Sequence, residues 1–250
     1  MPNWCSNYLE VTGSEEKLRE FDNKFKAKHI SMETSQTSMP EAMFKAENYV
    51  GKKYKVVNIN KKGSITLQVI DSIKEVEGYS FVNFVPPTEE DYLNGWYDWN
   101  CNNWGTKWGI CDLQEPDNLD DKPLTSIGYS FCTAWSPCTP VIESMAKAFP
   151  ELSFEYSYEE CGMQFAGIKK YNDGELTESL ESEEDKYREF LKEHMEREYY
   201  TCKDCGALLE EYELEDNENK CSECESANIV DFEGNPVENN NENKKESDVV

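Results

Sequence analysis

The residues best spaced for chemistry are two short runs near the C-terminal end, "CKDC" at 202–205 and "CSEC" at 221–224. A CxxC loop sets two thiolates about one tetrahedral edge apart, close enough to share one metal ion. The fifteen residues between the runs, "GALLEEYELEDNENK", are long enough for a short hairpin that returns the second pair to the first. Cys202, Cys205, Cys221 and Cys224 would then close a tetrahedron at a Zn–S distance of about 2.3 Å. Gly206, directly after the first pair, suits the tight turn. A redox dithiol and an iron–sulfur centre use the same residue type. A redox CxxC calls for a thioredoxin-like βαβ context, which the flanking sequence lacks. Four thiolates leave no open position, and His29 and His194 both lie outside the module. The spacing therefore predicts a structural zinc ribbon over 201–233, with Zn2+ as its cofactor. So few residues cannot fold on apolar burial alone, which makes the metal the expected main stabiliser. Lys203 and Lys220 are outnumbered by acids, so protein contact or folding stability is expected of the ribbon rather than nucleic-acid contact.

A second candidate is "GWYDWNCNNWGTKWG" at 95–109, which holds Trp96, Trp99, Trp104 and Trp108. Large aromatics at helical spacing are usually core, since each buries on the order of 200 Å². Asn100, Asn102, Asn103, Thr106 and Lys107 stand among the rings, however. Aromatics interleaved with amides and one cation suit a pocket for a planar or phosphorylated ligand. The candidate ligand or partner face is thus Trp96, Trp99, Asn103, Trp104, Thr106, Lys107 and Trp108, with Trp135 of "TAWSP" joining it.

Charge limits the partners. The chain carries 51 acidic and 25 basic residues, a net of −26. Residues 175–250 alone hold 25 acids against 8 bases. Overall acidity argues against a general nucleic-acid binder, because phosphate attraction supplies most non-specific affinity. It permits a solubilising surface, or an acidic mimic that occupies a basic partner. One stretch is locally basic: Lys52, Lys53, Lys55, Lys61 and Lys62 form a candidate nucleic-acid contact. The remaining cysteines, Cys5, Cys101, Cys111, Cys132, Cys138 and Cys161, show no metal-like pairing and read as buried thiols. No apolar run reaches eighteen residues, and "MPNWCSNYLEV" has no signal-peptide character. A cytoplasmic protein with no membrane partner is expected.

The elements that must position these residues follow from periodicity. "NYLEVTG" (7–13) reads as a strand, and 14–29 as a helix capped by Ser14 with Leu18, Phe21 and Phe25 on one face. Residues 31–48 read as an irregular excursion and 53–71 as a hairpin turning at "NKKG". "YSFVNFVPPT" (79–88) reads as the second core strand, stopped by its prolines, and 112–123 as a polar loop. Residues 125–135 read as a third strand, and 136–149 as a helix with Thr139 as N-cap and Pro140 at its first position. Strands are expected at 152–160 and 163–171. The order strand, helix, strand, strand, helix, strand is the ferredoxin-like split βαβ pattern. The expected fold is α+β: a ferredoxin-like domain over 1–172 with a β-hairpin insertion at about 31–78. An acidic helical connector at 173–200, capped by Ser182 and with a thin apolar stripe, is expected to be linker rather than core. The zinc ribbon and a disordered tail at 234–250 follow.

"MPNWCSNYLEVTG", "FVNFVPP", "WYDWNCNNWGTKWG", "FCTAWSPCTPVIESMAKAFPEL" and "YEECGMQFAG" together resemble the YubB-type ferredoxin-like domain family, whose members occur in phages and conjugative plasmids. The resemblance covers about residues 1–172 apart from the insertion, and Cys138 stands where the family commonly has a second proline. It implies the ferredoxin-like fold and a mobile-element origin, and it supplies no catalytic residues. The expected function is a non-catalytic accessory protein that binds a host or defence protein. The alternative is single-stranded nucleic-acid or nucleotide binding through the tryptophans and the Lys-rich hairpin. Enzymatic candidates are thin: Glu159 and Glu160 beside Cys161, and Asp98 near Lys107.

Overall fold

A computed structural model describes residues 3–40, 43, 45, 48, 51–62, 64–116, 118–120, 122–183, 186–197, 199–217, 219–231 and 234–237. The chain divides into two units, Met1–Glu181 and Ser182–Val250. No helix among the described residues is long and apolar enough to cross a membrane.

The N-terminal unit is organised around β1 (Trp4–Thr12), whose alternation turns Cys5, Asn7, Leu9 and Val11 inward. Helix α1 (Glu15–Phe25) follows, with the Ser14 side chain accepting from the Lys17 N–H and Glu15 and Glu16 in its first turn. Its stripe of Leu18, Phe21 and Phe25 is fully buried, each side chain contributing roughly 1.5–3 kcal/mol. The helix stops at Phe25, earlier than expected from the sequence. The cause is tertiary: Asn83 Nδ2 donates to the Phe25 and Ala27 carbonyls, and the Ser80 N–H also donates to Phe25.

Residues 31–48, expected to be irregular, instead begin inside a long strand, β2 (Lys28–Pro40). It pairs along its whole length with β4 (Ser64–Glu77), which also pairs with β3 (Lys53–Ile59), in the order β2-β4-β3. The polar run "SMETSQTSMP" lacks apolar alternation, so the ladder of backbone bonds decides its conformation. Ile65, Leu67 and Val69 of β4 form a small core of their own, with Met39 and Tyr54 against it.

The second strand of the ferredoxin-like pattern is also not where the sequence placed it. Residues 81–83 form one 3₁₀ turn, with Phe81 buried and the Ser80 hydroxyl accepting from the Val82 N–H. After helix α2 (Glu89–Asn103) comes β5 (Cys111–Gln114), which runs into the expected polar loop from its second residue and is paired to β6 (Ser126–Ala134). Helix α3 (Thr139–Ala148) then crosses over to β7 (Ser153–Glu160). Its N-cap is Cys138, not Thr139, with Pro140 in the first turn. Strands β6 and β7 flank β1, antiparallel to it, so β6-α3-β7 is a split βαβ unit around the central strand. Two further strands, β8 (Phe165–Asn172) and β9 (Glu175–Glu181), extend the sheet to β5-β6-β1-β7-β8-β9. β9 lies in the stretch expected to begin a helical connector; its register against β8 supplies the strand. The fold is a mixed α+β, antiparallel, ferredoxin-like one.

A buried polar chain ties these elements together. Asn7 Nδ2 donates to the Cys5 and Phe131 carbonyls and to Thr133 Oγ1, while Asn7 Oδ1 accepts from the Tyr156 hydroxyl at 2.6 Å. The Tyr156 hydroxyl accepts from the Cys138 N–H at the start of α3. Thr133 donates to the Ser136 carbonyl, and Ser136 Oγ donates to the Gly105 carbonyl at 2.6 Å. Gly105 packs against the 137–140 turn with φ near +79°, and a Cβ there would sit 2.8 Å from Pro140 Cδ and 2.9 Å from the Pro137 oxygen.

Gly105→Ala should therefore cost about 2–4 kcal/mol, read as a fall in Tm of roughly 5–15 °C. Gly109→Ala, whose added methyl meets only Trp104 at 4.0 Å, should leave Tm near wild type. Equal effects at both positions would show that the close approach at Gly105 does not matter.

Candidate metal centre and tryptophan cavity

The C-terminal unit opens with α4 (Tyr187–His194), N-capped by Lys186 rather than Ser182. It was expected to be linker, yet Tyr187, Phe190 and Leu191 are buried. Tyr187 stacks on Tyr199 of β10 (Tyr199–Cys202), and Arg188 donates to Thr201 at 3.0 Å. β10 is the centre of a small sheet, flanked by β11 (Leu208–Glu210) and β12 (Ile229–Val230), with α5 (Glu211–Asp216) following β11.

Cys202 is the last residue of β10, and the chain after it folds into a knuckle. The Cys202 N–H donates to the Ala207 carbonyl, and the Gly206 N–H returns to the Cys202 carbonyl. The second pair repeats the pattern: the Cys221 N–H donates to Ser226, and the Glu225 N–H to Cys221. Gly206 and Glu225 both have left-handed φ, 77° and 60°, so Glu225 fills the position that glycine fills in the first knuckle. The Asp204 carboxylate accepts from Ser226 Oγ and Asn228 Nδ2, which locks the two knuckles together.

The four sulfurs converge. Cys202 and Cys224 lie 3.6 Å apart, Cys205 and Cys221 also 3.6 Å, and all four lie within 4.8 Å of one another. A tetrahedron with metal–sulfur bonds of about 2.3 Å has edges of about 3.8 Å, so the spacing fits one ion. Burial works against ionising Cys202, but the N–H groups of Cys205 and Asp204 bring its thiol down to about 7. Cys202 and Cys221 are buried, whereas Cys205 and Cys224 are exposed. Leu209, Leu214 and Ile229 pack around the two buried sulfurs.

In the N-terminal unit the tryptophans divide. The capping box of Thr88 and Asp91 starts α2, which kinks at Gly95. Trp104 is buried in the main core, its Nε1 donating to the Val85 carbonyl at 2.9 Å and its ring edge-on to Phe81 and Trp99. Thr106 is buried and donates to the Ala134 carbonyl, so it faces the sheet. Asn103 bonds back to the Trp99 carbonyl, one helical turn earlier. Lys107 lies over the Trp108 ring at 4.5 Å, and Trp108 in turn approaches Trp4 at 6.1 Å. Trp135 is 43% exposed with φ near 75°, and among the described residues no ring contact joins it to the others. The expected face is therefore split between packing and exposed positions.

What the sequence did not show is the space beside these rings. The first part of β2 lies beside α2, and between them is a half-open cavity of about 350 Å³. Trp96, Trp104, Trp108 and Tyr92 form its aromatic walls, and His29 and Ser31 line it from β2. Asn100 also lines it and is only 3% exposed. Its Nδ2 donates to the Lys107 carbonyl at 2.9 Å, while its Oδ1 has no hydrogen-bond partner. Burial pushes the adjoining Tyr92 phenol up to about 12, with the Asn100 amide acting as a donor that opposes the rise. His29 Nδ1 lies 3.2 Å from the Ala27 carbonyl. Asn100 stood out in the sequence only as one amide among several; its burial depends on β2, which the sequence did not reveal.

Two lysines of the Lys-rich hairpin tie it to α2. Lys53 pairs with Glu89 and Lys55 with Asn94, both on α2, and Lys52 pairs with Asp71 at 2.7 Å within the insertion. Lys52 holds the Asp71 carboxyl below its usual range. Each such exposed pair contributes about 0–1 kcal/mol. Lys61 and Lys62 stand exposed at the turn.

Of the thin catalytic candidates, Glu159 and Glu160 are both buried. Both Glu160 oxygens accept backbone N–H groups, from Gly162 and Met163. Asp98 and Lys107 share the rim of a second cleft without an ion pair among the described contacts. Of the cysteines read as buried thiols, Cys5 and Cys138 are buried, Cys101, Cys111 and Cys132 are half-buried, and Cys161 is exposed at the β7–β8 turn.

Residues 112–203 match the family described as "Ferredoxin-like domain in Api92-like protein". A comparison with curated proteins gives no match. Among solved structures, the protein api92 from Yersinia pseudotuberculosis is similar at 12% identity, over 73% of this chain and 99% of that one, with a TM-score of 0.45.

Trp104→Ala should cost about 3–5 kcal/mol, because it removes a buried ring and orphans the Val85 carbonyl. Asn103→Ala, which loses only a local bond on a half-exposed helix face, should cost less than about 1 kcal/mol. Urea unfolding of the two variants separates the roles, and similar midpoints would refute the division.

Proposed function

We propose that the protein is a non-catalytic binding protein whose C-terminal unit is a zinc ribbon closed on one structural Zn2+ ion. The observation that carries this reading is the convergence of four thiol sulfurs from two matched knuckles at tetrahedral spacing. Thiolate-only coordination is closed and leaves no position for water or substrate, so the ion acts as a cross-link. Cys202, Cys205, Cys221 and Cys224 would hold it, and Asp204 keeps the knuckles in register. In small domains of this kind metal binding is folding free energy, on the order of 10–16 kcal/mol.

A mobile-element origin accords with the family resemblance, and a host or defence protein is the partner class that fits it. The acidic excess favours a partner surface that is basic. Single-stranded nucleic acid is the weaker reading, because Lys52, Lys53 and Lys55 are already engaged within the protein. Gel shifts at micromolar protein and low salt should show no binding of single-stranded DNA or RNA.

Elemental analysis of the purified full chain should give one zinc per chain, and Cys221→Ser should abolish it. A chelator should open residues 199–230 to protease while the near-ultraviolet signal of the N-terminal unit persists. Stoichiometric iron with visible absorption, or a metal-free chain that resists protease there, would overturn the zinc assignment.

A further inference from the structure

Two cysteines outside the zinc ribbon form a pair that spacing along the chain conceals. Cys111 opens β5 and Cys132 lies in β6, and the antiparallel register sets them directly opposite each other. We propose that Cys111 and Cys132 are a dithiol that a low-molecular-weight disulfide such as oxidised glutathione converts to a cross-strand disulfide, stapling the edge strand β5 to the sheet. The inference is independent of the zinc ribbon and of any macromolecular partner.

Register is the first support. Residues directly opposed in an antiparallel ladder have Cα atoms about 4.5–5.5 Å apart and side chains on one face. Disulfides span Cα separations of about 4.4–6.8 Å, so the bridge needs side-chain rotation and no movement of the strands. The Cys111 thiol donates to the Gly109 carbonyl at 3.7 Å, a weak bond given up on rotation.

Access is the second. Ile127, Tyr129, Phe131 and Thr133 of β6 turn inward, which leaves Cys132 on the opposite face of the sheet. Cys111 and Cys132 are both half-buried, within reach of a small reagent, whereas Cys5 and Cys138 are buried in the core. Cys101 lies on α2 and Cys161 in the β7–β8 turn, outside any strand register.

The third is the strand itself. β5 is an edge of the six-stranded sheet, and its two registered pairs, Cys111 with Cys132 and Gln114 with Ser130, are separated by a register shift. A short edge strand held in this way opens locally at little cost, and a covalent link at its first residue opposes that opening.

The chemistry is thiol–disulfide exchange. One cysteine thiolate attacks a sulfur of oxidised glutathione, forming a mixed disulfide and expelling one glutathione thiolate. The second thiolate attacks the protein-side sulfur and expels the other. One S–S bond is lost and one formed, and the protons of the two cysteine thiols end on two glutathione thiols. Burial and the Asp112 carboxylate push both cysteine thiols up, so the exchange is slow near neutral pH. A half-exposed cross-strand bridge belongs to the labile class of disulfides, which a dithiol reductant reopens.

The test incubates the full chain, with its zinc, in mixtures of oxidised and reduced glutathione. Free thiols are then alkylated, the chain is cleaved at the aspartates between the two cysteines, and the peptides are read by mass spectrometry. A Cys111–Cys132 cross-link is expected, its yield rising with the oxidised fraction. Amide exchange over residues 111–114 should slow by about tenfold or more on oxidation and recover in dithiothreitol. Cys132→Ser should form no bridge and leave glutathione on Cys111. The peptides of Cys202, Cys205, Cys221 and Cys224 are read separately, so the outcome does not turn on the zinc assignment. Absence of the cross-link after a day in about 10 mM oxidised glutathione would overturn the proposal. A cross-link that forms only in urea, one that joins either cysteine mainly to a different thiol, or one that leaves amide exchange over 111–114 unchanged would each overturn it as well.

Discussion

Asn7 is the residue on which the N-terminal unit depends. It sits in the central strand, fully inside the sheet's packed face, and every polar atom of its side chain is used. Through Thr133 it fixes β6, through Tyr156 it fixes β7, and through Tyr156 and Cys138 it fixes the start of α3. A buried amide with its partners in place rigidifies a core, because any shift of one strand would leave several groups unpaired at once. The chain of bonds continues from Thr133 to Ser136 and from Ser136 to Gly105. The turn that carries the tryptophans is thus anchored to the central strand by hydrogen bonds as well as by packing.

That anchoring explains why one run of sequence supplies both core and cavity. Gly105 approaches the 137–140 turn too closely for any side chain, and Thr106 is drawn onto the Ala134 carbonyl. Trp104 is thereby committed to the core, while Trp96 and Trp108 on either side keep one surface toward the space under β2. The lysines complete the arrangement from above. Lys53 and Lys55 of β3 reach α2, so charges that looked like a nucleic-acid contact serve to seat the insertion sheet on the helix. The C-terminal unit follows a different logic. Around its knuckles the apolar cluster is only Leu209, Leu214 and Ile229 with two sulfurs, a small core that a bound ion would cross-link.

Much of the ferredoxin-like pattern was legible in the sequence. β1, α1, β6, α3, β7 and β8 follow from alternation, capping and helical stripes, which are local signals. The second strand was not legible, because β5 is four residues of mixed polarity whose only reason to be extended is its partner β6. The stronger-looking "YSFVNFVPP" turned instead, since Ser80 caps it and Asn83 is claimed by the end of α1. β2 and β9 escaped notice for the same reason as β5: polar strands are specified by the edge they join. α4 looked too thin to be core, yet Tyr187, Phe190 and Leu191 are enough to bury it.

The sequence alone marked the four cysteines that converge, because two CxxC loops are a matter of short-range spacing and survive any uncertainty about the elements between. It also determined that the tryptophan run would matter to packing. Only the tertiary structure decided that a cavity exists beside it. The cavity's rings, its buried amide and its roof come from residues 29–34, 80–92 and 96–109. The roof is a polar strand that β4 holds in place, and the Asn100 nitrogen turns to a carbonyl seven residues away. Spacing along the chain carries no record of a contact made between segments, so the cavity became visible only once those segments met.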